Sequence, residues 1–186
     1  GSSEPAERSK GQVCQGNFDA RGLKGGGMQV VVLLWCVLAL LATAITAVWL
    51  APRRGATPLI YTAAAAISAL MGATALLNLG VGNSAVLRLP LGLPWVGANF
   101  HIDTLSSLFL LIVNIGAVGA SLYAIGYGRH ESAPQRVLPF FPAFLAGMNL
   151  VVLADDAFTF LMSWEFMSLT SWALVMAHDR VEDNVR

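Results

Sequence analysis

A single carboxylate stands in the middle of a long uncharged segment of this chain. Glu165 is the ninth residue of Ala157–Ala177, a run of 21 residues that contains no other ionisable side chain. A helix of that length spans about 30 Å, the thickness of the hydrocarbon core of a bilayer. A carboxylate at mid-membrane depth costs several kcal/mol, so such residues are rarely retained for packing alone. We therefore expect Glu165 to serve as a proton or ion site.

Hydroxyl side chains stand close to this acid in the sequence. Four of them lie within six residues of it: Ser163, Ser168, Thr170 and Ser171. Hydroxyl groups at this level of a helix can hydrogen-bond the carboxyl group or hold water beside it, and Ser168 shares the helical face of Glu165. The alternative interpretation is a protonated Glu165 that only joins helices by a hydrogen bond. No lysine or arginine lies within an apolar segment, so the sequence does not identify a cation partner.

Other titratable side chains stand at the ends of apolar segments. Asp103 precedes a hydroxyl-rich helix start, which favours an N-cap role over ion handling. Asp155 and Asp156 are expected to cap the following helix. His178 and Asp179 come directly after the last apolar segment. They could pass protons at the membrane surface, but a solvated helix end is the favoured interpretation.

The composition is that of an integral membrane protein. The chain is 56% apolar and only 12% charged, with a mean hydropathy of +0.65, whereas a soluble domain is about a quarter charged. We predict an all-α integral membrane protein with about five transmembrane helices. The predicted spans are Met28–Leu50, Leu59–Leu79, Leu105–Ile125, Leu138–Ala154 and Ala157–Ala177. The fourth is the weakest prediction, because about 17 residues is the lower limit for a span.

The segment between the second and third spans differs from the rest. Gly80–His101 contains short alternating stretches interrupted by Pro and Gly, which predicts a hairpin-like loop outside the membrane. Its Gly80–Ala85 stretch formally fits a dinucleotide-binding fingerprint, but no alternation of strands and helices surrounds it. The two cysteines, Cys14 and Cys36, form no metal or haem motif. The sequence offers no ligands for a redox group, so we expect no cofactor.

The distribution of arginine orients the predicted spans. Arginines occur in residues 51–58, in residues 127–137 and after the fifth span, whereas the opposite loops hold Arg88 and the acidic pair Asp155-Asp156. By the positive-inside rule the first three segments are cytoplasmic and the end preceding the first span is exoplasmic. Four basic residues near the start of the chain favour the opposite orientation. We give the three short segments more weight.

Several short motifs together resemble a known family. In chain order they are Asp-x-Leu-Ser at Asp103–Ser106, Tyr-x-x-x-Tyr at Tyr123–Tyr127, and Trp164-Glu165 followed by Ser168 and Ser171. With them, the chain from Met28 to Arg186 resembles the antiporter-like membrane subunits of respiratory complex I, the Mrp cation/proton antiporters and the membrane-bound hydrogenases. Within that superfamily it most resembles the hydrogenase 4 component B type.

This resemblance implies a role for the acid and a larger protein around it. In such subunits the Trp-Glu acid of the fifth helix translocates protons, and it corresponds to Glu165 here. Members have many more helices, with lysines in later helices that pair electrostatically with this acid. The chain resembles the first five helices. Residues 28–186 are therefore expected to be the N-terminal part of a multi-span proton-translocating domain, after a disordered or non-native leader at residues 1–27.

The residues and the resemblance together lead to an expected function. We expect a non-catalytic, proton-translocating subunit, truncated in this chain, of a redox-driven complex such as a membrane-bound hydrogenase or NADH:quinone oxidoreductase. The auxiliary candidates beside Glu165 are Ser168, Asp103, His178 and Asp179. The alternatives are a structural or assembly subunit, with Glu165 as an interhelical hydrogen-bond partner, and a cation/proton antiporter subunit. Expected partners are protons, the lipid bilayer of the inner (plasma) membrane and other membrane subunits, without nucleic acid.

Overall fold

Helices make up most of the structure, a computed structural model that describes residues 20–50, 56–82, 84–89, 98–127 and 137–182. The elements in chain order are α1 (Ala20–Leu50), α2 (Ala56–Val81), β1 (Ala85–Leu89), β2 (Ala98–Ile102), α3 (Thr104–Tyr127), α4 (Phe140–Leu153) and α5 (Ala157–Glu182). The predicted helical class is confirmed, with one small hairpin added between the second and third helices.

Three helices of the described chain are long and apolar enough to cross a membrane. These are α1, α2 and α3, over Gly27–Leu50, Thr57–Val81 and Thr104–Gly126. Helix α4 is apolar but has only 14 residues, about 21 Å of helix, which is shorter than a hydrocarbon core of about 30 Å. Helix α5 has 26 residues but carries more polar side chains and is not among the three. A crossing of the membrane by α4 and α5 remains a prediction.

Two helices extend beyond the predicted spans. Helix α1 begins at Ala20, eight residues before Met28, and α5 continues to Glu182, five residues beyond Ala177. Hydropathy marks the apolar part of a helix, whereas caps and packing decide where the helix ends. The predicted leader, residues 1–27, therefore overlaps the start of α1 and otherwise lies outside the described residues.

The helices pack in a connected series. Helix α2 packs along α3, α1 packs against both α2 and α4, and α4 packs along α5. The shared core holds fully buried apolar side chains from the first four helices, among them Leu33, Leu40, Met71, Leu110 and Leu153. The substantial contacts of α5 with the described elements are confined to α4 and β2. Helix α4 and the hairpin therefore determine where α5 lies.

Strands β1 and β2 form the predicted hairpin. They are antiparallel, with Ala85 opposite Ile102. On β2 the buried residues Phe100 and Ile102 alternate with more exposed neighbours, as expected for a strand with one face on a core. The hairpin contacts α1 through β1. Residues 90–97, which join the two strands, lie outside the described residues.

Candidate functional site

The helix that carries Glu165 packs on α4 through a close backbone approach. A Cβ atom on Gly147 of α4 would lie 3.0 Å from the Cα atom of Met167 and 3.1 Å from its Cβ atom. The contact therefore depends on the missing side chain at residue 147. The same face of α5 buries three hydroxyl side chains at helical spacing: Thr159, Ser163 and Thr170.

Glu165 lies on the opposite face of α5. It precedes Met167 by two residues, and two residues turn a helix by about 200°, so the carboxylate points away from α4. Glu165 is exposed, and so are the large apolar side chains around it on that face: Leu161, Trp164, Leu169 and Trp172. The sequence predicts a buried carboxylate, but the described residues do not bury it, because α4 covers the other side of the helix.

Only part of the predicted hydroxyl cluster accompanies the acid. Ser168, three residues after Glu165, is exposed like it. Ser163 and Thr170 are buried towards α4, since residues two or five positions apart do not share a helix face. The Thr170 hydroxyl donates to the carbonyl oxygens of Phe166 and Met167, both at 2.9 Å. Of these hydroxyls, Ser168 is the best placed to interact with the carboxylate.

Asp103 caps α3, as the sequence predicts. The backbone N–H of Ser106 donates to Asp103 Oδ1 at 2.6 Å, and this bond is the main cause that lowers the pKa of Asp103 below its ordinary value. The Ser107 hydroxyl donates to the Asp103 carbonyl oxygen at 2.6 Å and accepts a hydrogen bond from Asn78 Nδ2 at 2.8 Å. The cap is thus connected to α2, which supports a structural role for this acid.

Asp156 caps α5 and also binds the hairpin. Its carboxylate accepts from the Thr159 backbone N–H at 2.8 Å and from the Thr159 hydroxyl at 2.7 Å. The backbone N–H of Asn99 on β2 donates to the same carboxylate at 3.0 Å. The bonds from Thr159 are the main cause that lowers the pKa of Asp156 from 3.8 to about 2. The predicted cap is confirmed, and it ties α5 to β2.

Asp155 strengthens the same attachment through its backbone. Its N–H donates to the Asn99 carbonyl oxygen at 3.0 Å, and its Oδ1 atom lies 3.7 Å from His101 Nδ1. Both side chains are about a third exposed, at 39% for Asp155 and 30% for His101. The ion pair is therefore weak, and the backbone bonds carry the attachment.

Replacing Asp156 by alanine is expected to destabilise the start of α5 by about 1–2 kcal/mol, because a lost N-cap alone is worth about that much. Asp156→Asn keeps an acceptor oxygen and should lose less. Because folding lowers the pKa of Asp156, its contribution is complete above pH 3.8 and is lost as the pH falls towards about 2. Thermal unfolding in detergent measures these differences. Asp155→Ala is the matched control, with an expected change below about 0.5 kcal/mol; equal losses in both variants would contradict the cap.

Buried polar residues recur along α3 at seven-residue intervals: Ser107, Asn114 and Ser121. Asn114 Nδ2 donates to Asn149 Oδ1 on α4 at 2.7 Å, and Asn149 Nδ2 donates to the Leu145 carbonyl oxygen at 2.8 Å. This pair joins α3 to α4 inside an apolar core. The signal in the sequence was a carboxamide within each apolar span, since such groups seek partners on neighbouring helices.

The remaining candidates are less well placed. His178 and Asp179 belong to the last turns of α5, but their side chains lie outside the described residues. Among the side chains that the structure describes, no group of three His, Cys, Asp or Glu residues is arranged to hold a metal ion.

Three relatives show what this arrangement is similar to. The chain is 32% identical over 102 residues to hydrogenase-4 component B of Escherichia coli, covering 54% of this chain and 15% of that protein. It is 31% identical over 88 residues to NADH-quinone oxidoreductase subunit L of Mycobacterium tuberculosis, covering 47% and 14%. It is 31% identical over 80 residues to NADH-ubiquinone oxidoreductase chain 5 of Paramecium tetraurelia, covering 43% and 14%.

The chain is a distant, partial homologue of antiporter-like membrane subunits. It matches no protein-family model. The matched region makes up 14% to 15% of the length of these three relatives. The homology thus supports the resemblance seen in the motifs, at the level of the superfamily.

Proposed function

We propose that this chain belongs to a proton-translocating membrane subunit of a redox-driven complex, in which Glu165 takes up and releases the proton. Relatives named as components of hydrogenase-4 and of NADH-quinone oxidoreductase support such an assembly. The observation that carries the proposal is an exposed carboxylate on a mostly apolar face of α5, turned away from α4. Because lipid solvates a carboxylate poorly, this face would contact other protein or water in the assembled subunit.

The proposal includes a topology. Helices α4 and α5 would complete five crossings of the inner (plasma) membrane. Helices α3 and α5 both begin beside the hairpin, since Asp103 directly follows β2 and Asp156 binds it. The arginine distribution makes that end exoplasmic and residues 51–58 and 127–137 cytoplasmic. Glu165 would then lie about 13 Å along the helix from Asp156, within the bilayer.

Each acid has a separate role under this proposal. Glu165 alternates between its protonated and ionised forms as the proton passes. Ser168, one turn further on and also exposed, is placed to donate a hydrogen bond to the ionised form. Asp103 and Asp156 hold the helix starts, because their lowered pKa values keep them ionised at neutral pH. The described side chains include no lysine or arginine, so the counter-charge would come from another segment or subunit.

A structural role is the alternative that the same face supports. Large exposed side chains such as Trp164 and Trp172 flank Glu165, and an apolar, aromatic face suits contact with a further helix. In that case a protonated Glu165 would donate one interhelical hydrogen bond and would not exchange its proton during turnover.

A hydrophobic carbodiimide tests whether Glu165 becomes protonated in the intact complex. Such reagents react with protonated carboxyl groups, so we expect modification of Glu165 and a proportional inhibition of proton translocation. Asp156 is the internal control, because its pKa of about 2 keeps it ionised at neutral pH. Mass spectrometry of the α5 peptide locates the adduct. Inhibition without an adduct on Glu165 would argue against its role as the proton carrier.

A further inference from the structure

A groove of about 350 Å³ runs along the contact between α2 and α3. Small residues of α2, including Ser68, Ala69 and Gly72, form one side, and Asn114 and Leu111 of α3 form the other. The groove lies close to the middle of α3, because Asn114 is the eleventh of its 24 residues. It is on a different pair of helices from Glu165.

Two polar side chains of this groove are fully buried and incompletely paired. The Asn114 amide nitrogen donates twice, to the Leu110 carbonyl oxygen at 2.8 Å and to Asn149 Oδ1 at 2.7 Å. Those two bonds fix the orientation of the carboxamide and turn Asn114 Oδ1 away from both partners. Among the described residues, neither Asn114 Oδ1 nor Ser68 Oγ has a hydrogen-bond partner, and both side chains are 0% exposed.

Ser68 differs in this from other hydroxyl residues of the same helices. Thr62 and Thr74 of α2 and Ser121 of α3 donate to a backbone carbonyl three or four residues earlier, at 2.7–2.9 Å. That bond is the usual way in which a helical hydroxyl is satisfied in an apolar setting. The Ser68 hydroxyl does not make it, so it is free to bind a group in the groove.

Lipid cannot satisfy these two atoms. An unsatisfied polar group within a bilayer costs several kcal/mol, and acyl chains carry no hydrogen-bond donor. Water fits the requirement, because it can donate to Asn114 Oδ1 and exchange a hydrogen bond with Ser68 Oγ. A bound water occupies about 30 Å³ and commonly makes two to four hydrogen bonds, so the groove has ample room.

We propose that the α2–α3 groove is a water-binding site at the level of the middle of α3, with Ser68 and Asn114 as its ligands. The bound water completes a hydrogen-bonded series that continues through the Asn114 carboxamide to Asn149 on α4. The site is independent of Glu165, so it stands whether or not Glu165 carries a proton.

Water-edited solid-state NMR of the full-length protein in liposomes tests this site. The rate at which magnetisation passes from water to the Asn114 side chain is compared with the rate for Asn149, which has the same chemistry and is also 0% exposed. We expect transfer to Asn114 to be about threefold faster or more, because it contacts the water directly. Equal and slow transfer to both, as for a groove filled by an acyl chain or a neighbouring helix, would overturn the proposal.

Two serine variants make the test specific. Ser68→Ala removes one water ligand without removing a bond within the described protein, so transfer to Asn114 should fall to the rate seen for Asn149. Ser121→Ala is the matched control, because that hydroxyl donates to the Ala117 carbonyl oxygen at 2.7 Å and should leave the transfer unchanged. An unchanged rate in Ser68→Ala, or an equal fall in Ser121→Ala, would show that Ser68 does not hold the water.

Discussion

Replacing Glu165 by glutamine is expected to lower proton translocation about a hundredfold, which is the lower range for loss of a proton-transferring group. Glutamine keeps the size of the side chain and its ability to hydrogen-bond, but it does not ionise and so cannot release a proton. Assembly of the complex should survive for the same reason. The measurement is redox-driven proton movement in membrane vesicles, normalised to the amount of assembled complex.

Three further variants separate this role from the structural alternative. Leu169→Gln places the same amide one turn away on the same exposed face and should leave pumping intact. Glu165→Asp keeps an ionisable group and should retain part of the activity. If Glu165 only joins helices, Glu165→Gln should pump normally while Glu165→Leu weakens assembly. Undiminished pumping in Glu165→Gln would therefore end the proposal of a proton carrier and favour the structural role.

Replacing Gly147 by alanine is expected to separate α4 from α5 and to destabilise the protein by about 1–3 kcal/mol, the usual range for overpacking. The new methyl group would lie 3.0–3.2 Å from the Cα, Cβ and N atoms of Met167. Two of these atoms belong to the backbone, so a rotamer change cannot relieve the contact. Thermal unfolding in detergent measures the loss. Because α5 has few other contacts, its proteolysis should also become faster.

Gly72 provides the matched control for this substitution. It also lies in a helix of the bundle, but a Cβ atom there would be 3.6 Å from Asn114 Cβ and 3.9 Å from Leu111 Cδ1, which are ordinary contact distances. Gly72→Ala should therefore leave stability unchanged or raise it by up to about 1 kcal/mol, since alanine favours helix over glycine. A similar loss of stability in both variants would show that close packing at residue 147 is not the cause.

Features that depend on neighbouring residues could be predicted from the sequence. The caps at Asp103 and Asp156 could be predicted because a cap bonds a backbone N–H three residues later. The hairpin within Gly80–His101 was visible in its alternation and in its Pro and Gly residues. Apolar runs likewise located the helices, although not their ends, because hydropathy does not report the terminal turns.

Features that depend on the fold could not be predicted in this way. Asn99 and Asp156 are 57 residues apart, and no local pattern links a strand to a distant helix start. The face of α5 that meets α4 was also hidden, because apolar residues surround this helix on all sides. The position of Gly147 against Met167 decides that face. It directs Glu165 outwards, where the sequence alone predicted burial.

The bonds between β2 and the start of α5 also have a consequence for biogenesis. The hairpin leaves the ribosome well before Asp156, and earlier segments of a nascent chain fold first. A lone two-stranded hairpin is only marginally stable, but this one is supported by α1, which is already synthesised. The free backbone groups of Asn99 are therefore in position when the link between α4 and α5 is inserted. Insertion of the last described helix ends on a docking point that the first half of the chain has prepared.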